Sequence, residues 1–427
     1  MVKEINQRQQ LVTATLIGLT TFCLYTFMYA VRKPFSALTY NNILVWGISV
    51  KIWMVLFQLL GYTMSKFFGI RLLGKIKLED RSIYLICILS LATVPLFLLQ
   101  HLPAQLWPVL MFFNGFPLGL VWGIVFSYVE GRKYTELIGA MLACTFVFSS
   151  GWVKSFGLYL QTTLELNITQ VPFFTAMIAL IAAAIMVFVL EKLPPPNNED
   201  KLLRNDRKPL NPIEQRRFLQ LHGSIIIPFV IIYGIFTIMR DFRDNFSAEM
   251  LTESGAYSGD VFINMELKVS LVLLCLVPLF SWIKNHRVAL NITTLSIIVG
   301  IFTSLTATFL FLQHQISIKG LLMLTGGGFY LGYILINISV MDRIVGFSGE
   351  SGNSGFLIYI ADSVGYLFSL IISSFALLNK IDSMNWTSLY IDLIMVGSVF
   401  IVILAITIPY QLQKTKQSHN DAEIIKA

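Results

Sequence analysis

Residues 11–31 read LVTATLIGLTTFCLYTFMYAV, contain no charged residue and run directly into Arg32-Lys33-Pro34. A helix that crosses a membrane needs about 20 consecutive apolar residues. A secretory signal has a shorter apolar core, which is followed by a small-residue cleavage site instead of two basic residues and a proline. The segment therefore predicts a retained transmembrane helix.

The composition extends this interpretation to the whole chain of 427 residues. Hydrophobic residues make up 56% of it and charged residues 13%, whereas about 25% are charged in an ordinary soluble domain. A soluble protein could not bury so much apolar surface, because a single core stops growing near about 250–300 residues. A β-barrel would alternate polar and apolar residues. The composition excludes a soluble enzyme, a nucleic-acid-binding domain and a disordered protein, and it predicts an all-α membrane protein.

Apolar segments of spanning length recur in two groups of six, and we name them spans 1–12. They lie near 11–31, 50–69, 83–101, 104–128, 137–160 and 171–191, and near 224–240, 262–283, 288–312, 318–341, 353–378 and 387–410. Asn211-Pro212-Ile213-Glu214 predicts the start of a short amphipathic helix before span 7. We expect an N-terminal bundle at 1–191, a cytoplasmic linker at 192–222, a C-terminal bundle at 223–410 and a cytoplasmic tail at 411–427.

The basic residues are unevenly distributed between the two sides of this arrangement. With both termini in the cytoplasm, 21 of the 31 lysines and arginines fall in cytoplasmic segments. This is the bias expected of multi-pass membrane proteins. We therefore expect a protein of the plasma membrane, the inner membrane in a bacterium, with cytoplasmic N- and C-termini. The formal charge of +7 then reflects topology and does not indicate a nucleic-acid partner.

Two features of the first half recur in the second. Tyr25 precedes Arg32 by seven residues, and Tyr233 precedes Arg240 by seven. The run Gly-Phe-x-Leu-Gly occurs at 115–119 and again at 328–332. The offsets are 208 and 213 residues, so both features relate one half to the other. They predict a duplicated transporter, two pseudo-symmetric six-helix bundles with a binding site between them.

Ionisable residues inside membrane spans are energetically costly and are by default candidates for function. Tyr25, Tyr29 and Arg32 share one face of span 1, because they are spaced by four and three residues. The other candidates are Tyr62 and Lys66 in span 2, Lys154 in span 5, Tyr233, Arg240, Asp241 and Arg243 in span 7, and Asp362 in span 11.

Each charged candidate also has a purely structural interpretation. Arg32 and Lys66 could anchor their helices at the headgroups. In the stretch MRDFRDNF, residues 239–246, each arginine could be neutralised by the aspartate that follows it. Asp362 could pair with a neighbouring helix. Taken together, cations from spans 1, 2, 5 and 7 predict a pocket that is stable only with a bound anion or paired acids. Arginine suits the two oxygens of a phosphate or carboxylate, and tyrosine hydroxyls can donate further hydrogen bonds.

These motifs resemble the major facilitator superfamily over nearly the whole chain. YTFMYAVRKPF at 25–35 and YTMSKFFG at 62–69 are similar to motifs of the organophosphate:phosphate antiporters, which exchange glycerol or hexose phosphates for inorganic phosphate. The resemblance implies that Arg32 contacts phosphate, that Lys66 lines the pathway and that Arg240 is the matching arginine of span 7. The segment after span 2 departs from the superfamily, because GYTMSKFFGIR at 61–71 lacks the expected aspartate.

Three functions follow from these observations. The first is a secondary transporter that moves a small anionic solute by alternating access, for example an organophosphate:phosphate exchanger. The second is a proton-coupled symporter or antiporter of sugars, peptides or drugs, in which Asp362 or Asp241 carries the proton. The third is a non-transporting membrane sensor or partner subunit with the same fold. We expect no catalytic residue, metal or cofactor, and a monomer whose partners are the solute and the lipid bilayer.

Overall fold

The computed structural model describes residues 2–40, 43–73, 78–129, 135–194, 212–348, 354–378 and 385–426. The helices are Val2–Arg32 (span 1), Val50–Leu73 (span 2), Arg81–Leu98 (span 3), Trp107–Leu118 with Val121–Val129 (span 4), Thr135–Thr163 (span 5), Gln170–Lys192 (span 6), Pro212–Glu253 (span 7), Val261–Leu276 (span 8), His286–Leu312 (span 9), Ile318–Leu335 with Met341–Ser348 (span 10), Ser354–Leu378 (span 11) and Trp386–Lys426 (span 12). The predicted all-α fold is confirmed.

Eleven helices in the described part of the chain are long and apolar enough to cross a membrane. Span 2 is not one of these eleven. Its helix is 24 residues long and carries the polar residues Lys51, Gln58 and Lys66. All three of these side chains are buried inside the protein. The sequence of span 2 is therefore less apolar because its polar residues face other helices and not lipid.

The helices differ from the predicted spans in three places. The helix of span 7 begins at Pro212 and continues without interruption to Glu253, so residues 212–222 do not form the separate short helix that we expected. Good helix formers such as Gln215, Arg216 and Leu219 follow Pro212 and give no reason for a break. Span 4 is interrupted at 119–120, just after Pro117, and prolines commonly mark kinks in helices. Span 12 continues as helix beyond residue 410, into the predicted tail.

A short hairpin connects spans 1 and 2. Leu44–Val45 pairs antiparallel with Ile48–Ser49, and the two turn residues, Trp46 and Gly47, both have positive φ angles, of 53° and 76°. Two consecutive positive φ values are typical of the tight turns that match the twist of paired strands. The second strand ends at Ser49, and the helix of span 2 begins at the next residue, Val50.

The two halves meet along two pairs of spans, because span 2 packs on span 11 and span 5 packs on span 8. The second contact is close: a Cβ atom at Gly151 of span 5 would lie 2.7 Å from the main-chain oxygen of Phe262 in span 8. Spans 4, 5, 7 and 10 are mostly buried, whereas fewer than half of the residues of spans 3, 6, 9, 11 and 12 are buried inside the protein. Exposed side chains such as Phe188, Phe302 and Ile406 form the surface that faces lipid.

The repeated glycine motif marks close helix contacts in both halves, but with different neighbours. Gly115 in span 4 lies against the backbone of Gln58 in span 2, whereas Gly328 in span 10 lies against the backbone of Gly300 in span 9. Small residues allow such close approach between helices in a membrane.

Candidate functional site

The end of span 1 is fixed by two amides of the same half. Gln58 Nε2 donates to the main-chain oxygen of Arg32 at 2.5 Å, and Asn114 Nδ2 donates to that of Val31 at 3.1 Å. The last carbonyls of a helix have no partner within the helix, and lipid offers none. The helix ends here because Pro34 disfavours helical geometry at Lys33. The amides satisfy the exposed carbonyls and thereby fix the position of Arg32.

The guanidinium of Arg32 is buried among tyrosines. Its Cζ lies 3.8 Å from the ring centre of Tyr62 in span 2 and 5.7 Å from that of Tyr366 in span 11. The residue is 5% exposed. Among the described residues, no hydrogen bond or ion pair reaches this guanidinium, and its buried Nε has no partner. Within the described residues, Arg32 is therefore a buried charge that lies against aromatic faces and forms no ion pair.

Arg240 of span 7 approaches the same place from the C-terminal half. Its Cζ lies 4.3 Å from the ring centre of Tyr333 and 5.9 Å from that of Tyr366. Asp241 accepts from Arg240 at 2.8 Å through Oδ1, while its buried Oδ2 has no hydrogen-bond partner within the described residues. The two arginines thus share the ring of Tyr366. We name the set Arg32, Tyr62, Arg240, Asp241, Tyr333 and Tyr366 the central arginine site.

Lys66 lies beside the central arginine site and forms a buried ion pair between the halves. Its Nζ is 2.8 Å from Asp362 Oδ2 in span 11 and 5.5 Å from the ring centre of Tyr62. The hydroxyl of Tyr233 donates to the other oxygen of Asp362, and Asn337 donates to that hydroxyl at 3.0 Å. The ring of Tyr62 therefore lies close to both Arg32 and Lys66.

A second carboxylate joins the halves near the end of span 7. Asp244 accepts from Tyr29 at 2.9 Å, from Lys154 at 3.0 Å and from Ser150, and Lys33 Nζ lies 3.7 Å from it. All four donors belong to spans 1 and 5 of the N-terminal half or to the residue that follows span 1. Lys154 also donates to the main-chain oxygen of Asp244 at 2.6 Å. We name these residues the Asp244 network.

Two more buried ion pairs surround these groups. Lys51, at the start of span 2, lies 2.5 Å from Glu249 and also donates to the main-chain oxygens of Ser36 and Leu38. Arg243 lies 2.8 Å from Glu266 of span 8. The first pair joins the halves, and the second lies within the C-terminal half.

The structure brings only some of the predicted site residues together. Arg32, Lys66, Arg240, Tyr62 and Asp241 meet at or beside the central arginine site, and Tyr233 reaches it by stacking on Tyr333, with ring centres 4.6 Å apart. Tyr25 packs edge-on against Trp122 and Phe146. Tyr29 and Lys154 lie in the Asp244 network, and Asp362 is paired with Lys66.

The structural alternative for residues 239–246, in which each arginine is neutralised by an adjacent aspartate, holds for Arg240 and not for Arg243. Arg243 pairs with Glu266, and the lysines of the other half take Asp244. Adjacent residues of a helix point in directions about 100° apart, so they face each other only when no better partner is near. The charge of Arg243 is therefore balanced by Glu266 without a ligand, whereas Lys154 shares the single charge of Asp244 with Lys33.

Several residues of the site were missed in the sequence. Tyr366 lies four residues after Asp362, one helical turn away, and this spacing was the available signal. Glu266 and Tyr333 lie within predicted spans 8 and 10, where an acid or a tyrosine could have been selected on the same grounds as Asp362. Lys51 and Glu249 lie at the ends of their spans and gave no signal, because charges are common there.

The comparisons with known proteins agree with this architecture. The xylose transporter XylE from E. coli, in an inward-open conformation, has a TM-score of 0.57 at 11% identity, over 92% of this chain and 95% of that one. A bacterial homologue of the human lysosomal transporter Spinster gives 0.56 at 12%, over 95% and 98%. A mutant form of the nucleoside transporter NupG gives 0.55 at 13%, over 94% and 99%. At these identities the likeness shows the fold alone, which is that of the major facilitator superfamily.

No curated protein matches the sequence significantly. A family model, described as a family of unknown function (DUF5690), matches residues 34–414. The match covers spans 2–12 and includes Lys66, Arg240 and Asp362. The chain is therefore an integral multi-pass membrane protein with the major facilitator fold, and it belongs to the DUF5690 family.

Proposed function

We propose that this protein is a secondary transporter of a small anionic solute, which binds between the two halves at the central arginine site. The observation that carries the proposal is the guanidinium of Arg32, which is buried without an acidic partner in the described part of the chain. An uncompensated buried charge is strongly unfavourable. An anion bound at Arg32 would remove this cost and would satisfy the free Nε.

The balance of buried charges supports the same proposal. The networks described above contain seven cations, Arg32, Lys33, Lys51, Lys66, Lys154, Arg240 and Arg243, and five carboxylates, Asp241, Asp244, Glu249, Glu266 and Asp362. The excess of two positive charges lies at Arg32 and at the two lysines that share Asp244. A low-dielectric pocket with excess positive charge attracts anions.

The location between the halves suits alternating access. Arg32 belongs to span 1 and Arg240 to span 7, so one solute can contact both halves at once through guanidinium groups that share Tyr366. A solute that neutralises both sides favours a closed arrangement of the halves, and its release allows them to separate. A guanidinium group can bind two oxygens of one phosphate or one carboxylate at the same time. Both phosphates and carboxylates therefore belong to the proposed class of solute. Organophosphate:phosphate exchange is one form that this transport could take.

The test is uptake into proteoliposomes with Arg32→Lys as the variant. Radiolabelled phosphate, sugar phosphates and sugar acids are supplied with and without an imposed pH gradient and with internal counter-substrate. Lysine keeps the charge and loses the planar fork, so we expect the apparent affinity to fall by about 10- to 100-fold. Arg217→Lys makes the same change at an exposed arginine in the first turns of span 7 and should transport like the parent. Equal uptake by Arg32→Lys and the parent would contradict the proposal.

Coupling to protons is a second candidate function, which one observation favours. The carboxylate of Asp362 lies between Lys66 of one half and Tyr233 of the other. Protonation of Asp362 would neutralise it and weaken the ion pair with Lys66, which would link a proton to the separation of spans 2 and 11. In this function, Asp362→Asn abolishes accumulation of solute against its gradient but spares exchange.

A further inference from the structure

The net charge of the central arginine site distinguishes between classes of anion. Arg240 and Asp241 form an ion pair at 2.8 Å and contribute no net charge. Lys66 beside the site is likewise balanced by Asp362 at 2.8 Å. Arg32 has no acidic partner among the described residues, so the site carries one excess positive charge. A ligand with one negative charge makes the site neutral.

The site also contains two buried polar atoms of opposite character that have no partner among the described residues. Arg32 Nε is a hydrogen-bond donor, and Asp241 Oδ2 is an acceptor. The two side chains are linked through Tyr366: Arg32 Cζ lies 5.7 Å from the centre of its ring, and Arg240, the ion-pair partner of Asp241, has its Cζ 5.9 Å from the same ring centre. A buried polar atom without a partner is costly. A ligand removes both costs if it offers an acceptor to Arg32 and a hydrogen-bond donor to Asp241.

We propose, as a refinement that rests on the transport function above, that the substrate is a hydroxycarboxylate monoanion. Its carboxylate binds the guanidinium of Arg32, and a hydroxyl group of the same molecule donates to Asp241 Oδ2. The rings of Tyr62, Tyr333 and Tyr366, which lie against the two guanidinium groups, line the site and limit its access to water.

Two competing ligand classes fit the charges less well. A phosphate monoester carries about −1.5 to −2 charges at neutral pH, so it leaves the site with excess negative charge next to the Asp241 carboxylate. A zwitterionic amino acid can satisfy both unpaired atoms, but its net charge of zero leaves the excess positive charge of the site in place. Only a monoanion with its own donor meets both conditions.

The first experiment measures binding to the purified full-length protein in detergent by calorimetry. The hydroxycarboxylates are lactate, glycerate and gluconate, and the matched acids without hydroxyl groups are propionate and hexanoate. Glycerol 3-phosphate and glucose 6-phosphate represent the dianions, and glucose is the neutral control. We expect one hydroxycarboxylate to bind at least about tenfold more tightly than its matched acid and its matched phosphate, because only it balances both the charge and the donor.

The second experiment changes the charge of the site by Asp241→Asn. This substitution raises the net charge from one to two, so the ratio of the dissociation constants of phosphate and carboxylate should shift towards the phosphate by about tenfold or more. Asp392→Asn makes the same change at an exposed residue of span 12 and should leave the ratio unchanged. If Asp241→Asn does not fold, the binding series on the parent protein still tests whether the substrate is a hydroxycarboxylate.

The outcomes separate the two proposals. If the phosphates bind the parent protein more tightly than every hydroxycarboxylate, the inference is overturned and anion transport stands. If the acids without hydroxyl groups bind as well as the hydroxycarboxylates, the role of Asp241 Oδ2 is overturned. If none of the seven anions binds, both the inference and the proposed function fail.

Discussion

Asp244 and Asp362 each join the two halves, but they do so with different numbers of partners. Asp244 takes two lysines, a tyrosine and a serine, all from the N-terminal half or its connecting segment. Asp362 takes one lysine from the N-terminal half, and its other donor, Tyr233, belongs to its own half. Separation of the halves therefore breaks four polar contacts of the Asp244 carboxylate but only one of the Asp362 carboxylate among the described residues.

The two carboxylates lie towards opposite ends of the bundle. Asp244 is in the last third of span 7, near the end of span 1, whereas Asp362 is in the first half of span 11 and pairs with Lys66 in the last third of span 2. The difference indicates that the halves part more easily around Asp362. With the predicted orientation of the termini, this end faces the cytoplasm. We therefore predict that Asp244 contributes more to stability and that Asp362 controls the opening between the halves.

The largest expected effect is that of Asp244→Asn. The substitution leaves Lys33 and Lys154 buried without a carboxylate, so the free energy of unfolding should fall by about 3–5 kcal/mol. The measurement is chemical unfolding of the purified protein in detergent. Asp392→Asn serves as the exposed control. A loss below about 1 kcal/mol would mean that the Asp244 network does not hold the halves together.

The next effect is that of Asp362→Asn, which leaves only Lys66 uncompensated. We expect a loss near the lower end of that range, about 3 kcal/mol. Lys66→Met combined with Asp362→Asn removes both charges, so the double variant should recover part of the loss, with a coupling of about 0.5–3 kcal/mol. Additive losses would show that the two residues do not interact. The same variants, assayed for accumulation and for exchange, test the role of Asp362 in coupling.

The smallest expected effects on the free energy of unfolding are those of Tyr29→Phe and Tyr233→Phe. The first removes one of several donors to Asp244, so it should cost about 0.5 kcal/mol or less. The second removes the hydroxyl that lies between Asn337 and Asp362, which leaves the amide without its acceptor, and should cost about 1–2 kcal/mol. Both changes are isosteric apart from the hydroxyl, so each controls for the other. The reverse order would contradict the comparison of the two carboxylates.

The helices could be predicted because their signal is local. Each span is a run of apolar residues of membrane thickness, and Arg32-Lys33-Pro34 marks the end of span 1 without reference to the rest of the chain. The long helix from Pro212 was missed because a helix that continues across the membrane surface looks, in sequence, like a separate amphipathic segment.

The partners of the buried charges could not be predicted in the same way. Arg240 and Asp241 are neighbours in sequence and in space, so that pair was accessible. Asp244 pairs with Lys154, 90 residues away, and Lys66 pairs with Asp362, 296 residues away. Such pairs depend on how spans 5, 7, 2 and 11 rotate and pack, which the hydrophobic pattern of a single span does not specify.

The contacts at the end of span 1 tie two neighbouring residues to different halves. Gln58 fastens the carbonyl of Arg32 to span 2, while the side chain of the next residue, Lys33, donates to Asn245 of span 7. In the proposed transport cycle the halves separate, so the contact between Lys33 and Asn245 breaks while the one between Gln58 and Arg32 persists. Pro34–Ala37, the short helical turn that follows, connects spans 1 and 2 and therefore moves with the N-terminal half, so Lys33 crosses between the halves through its side chain alone.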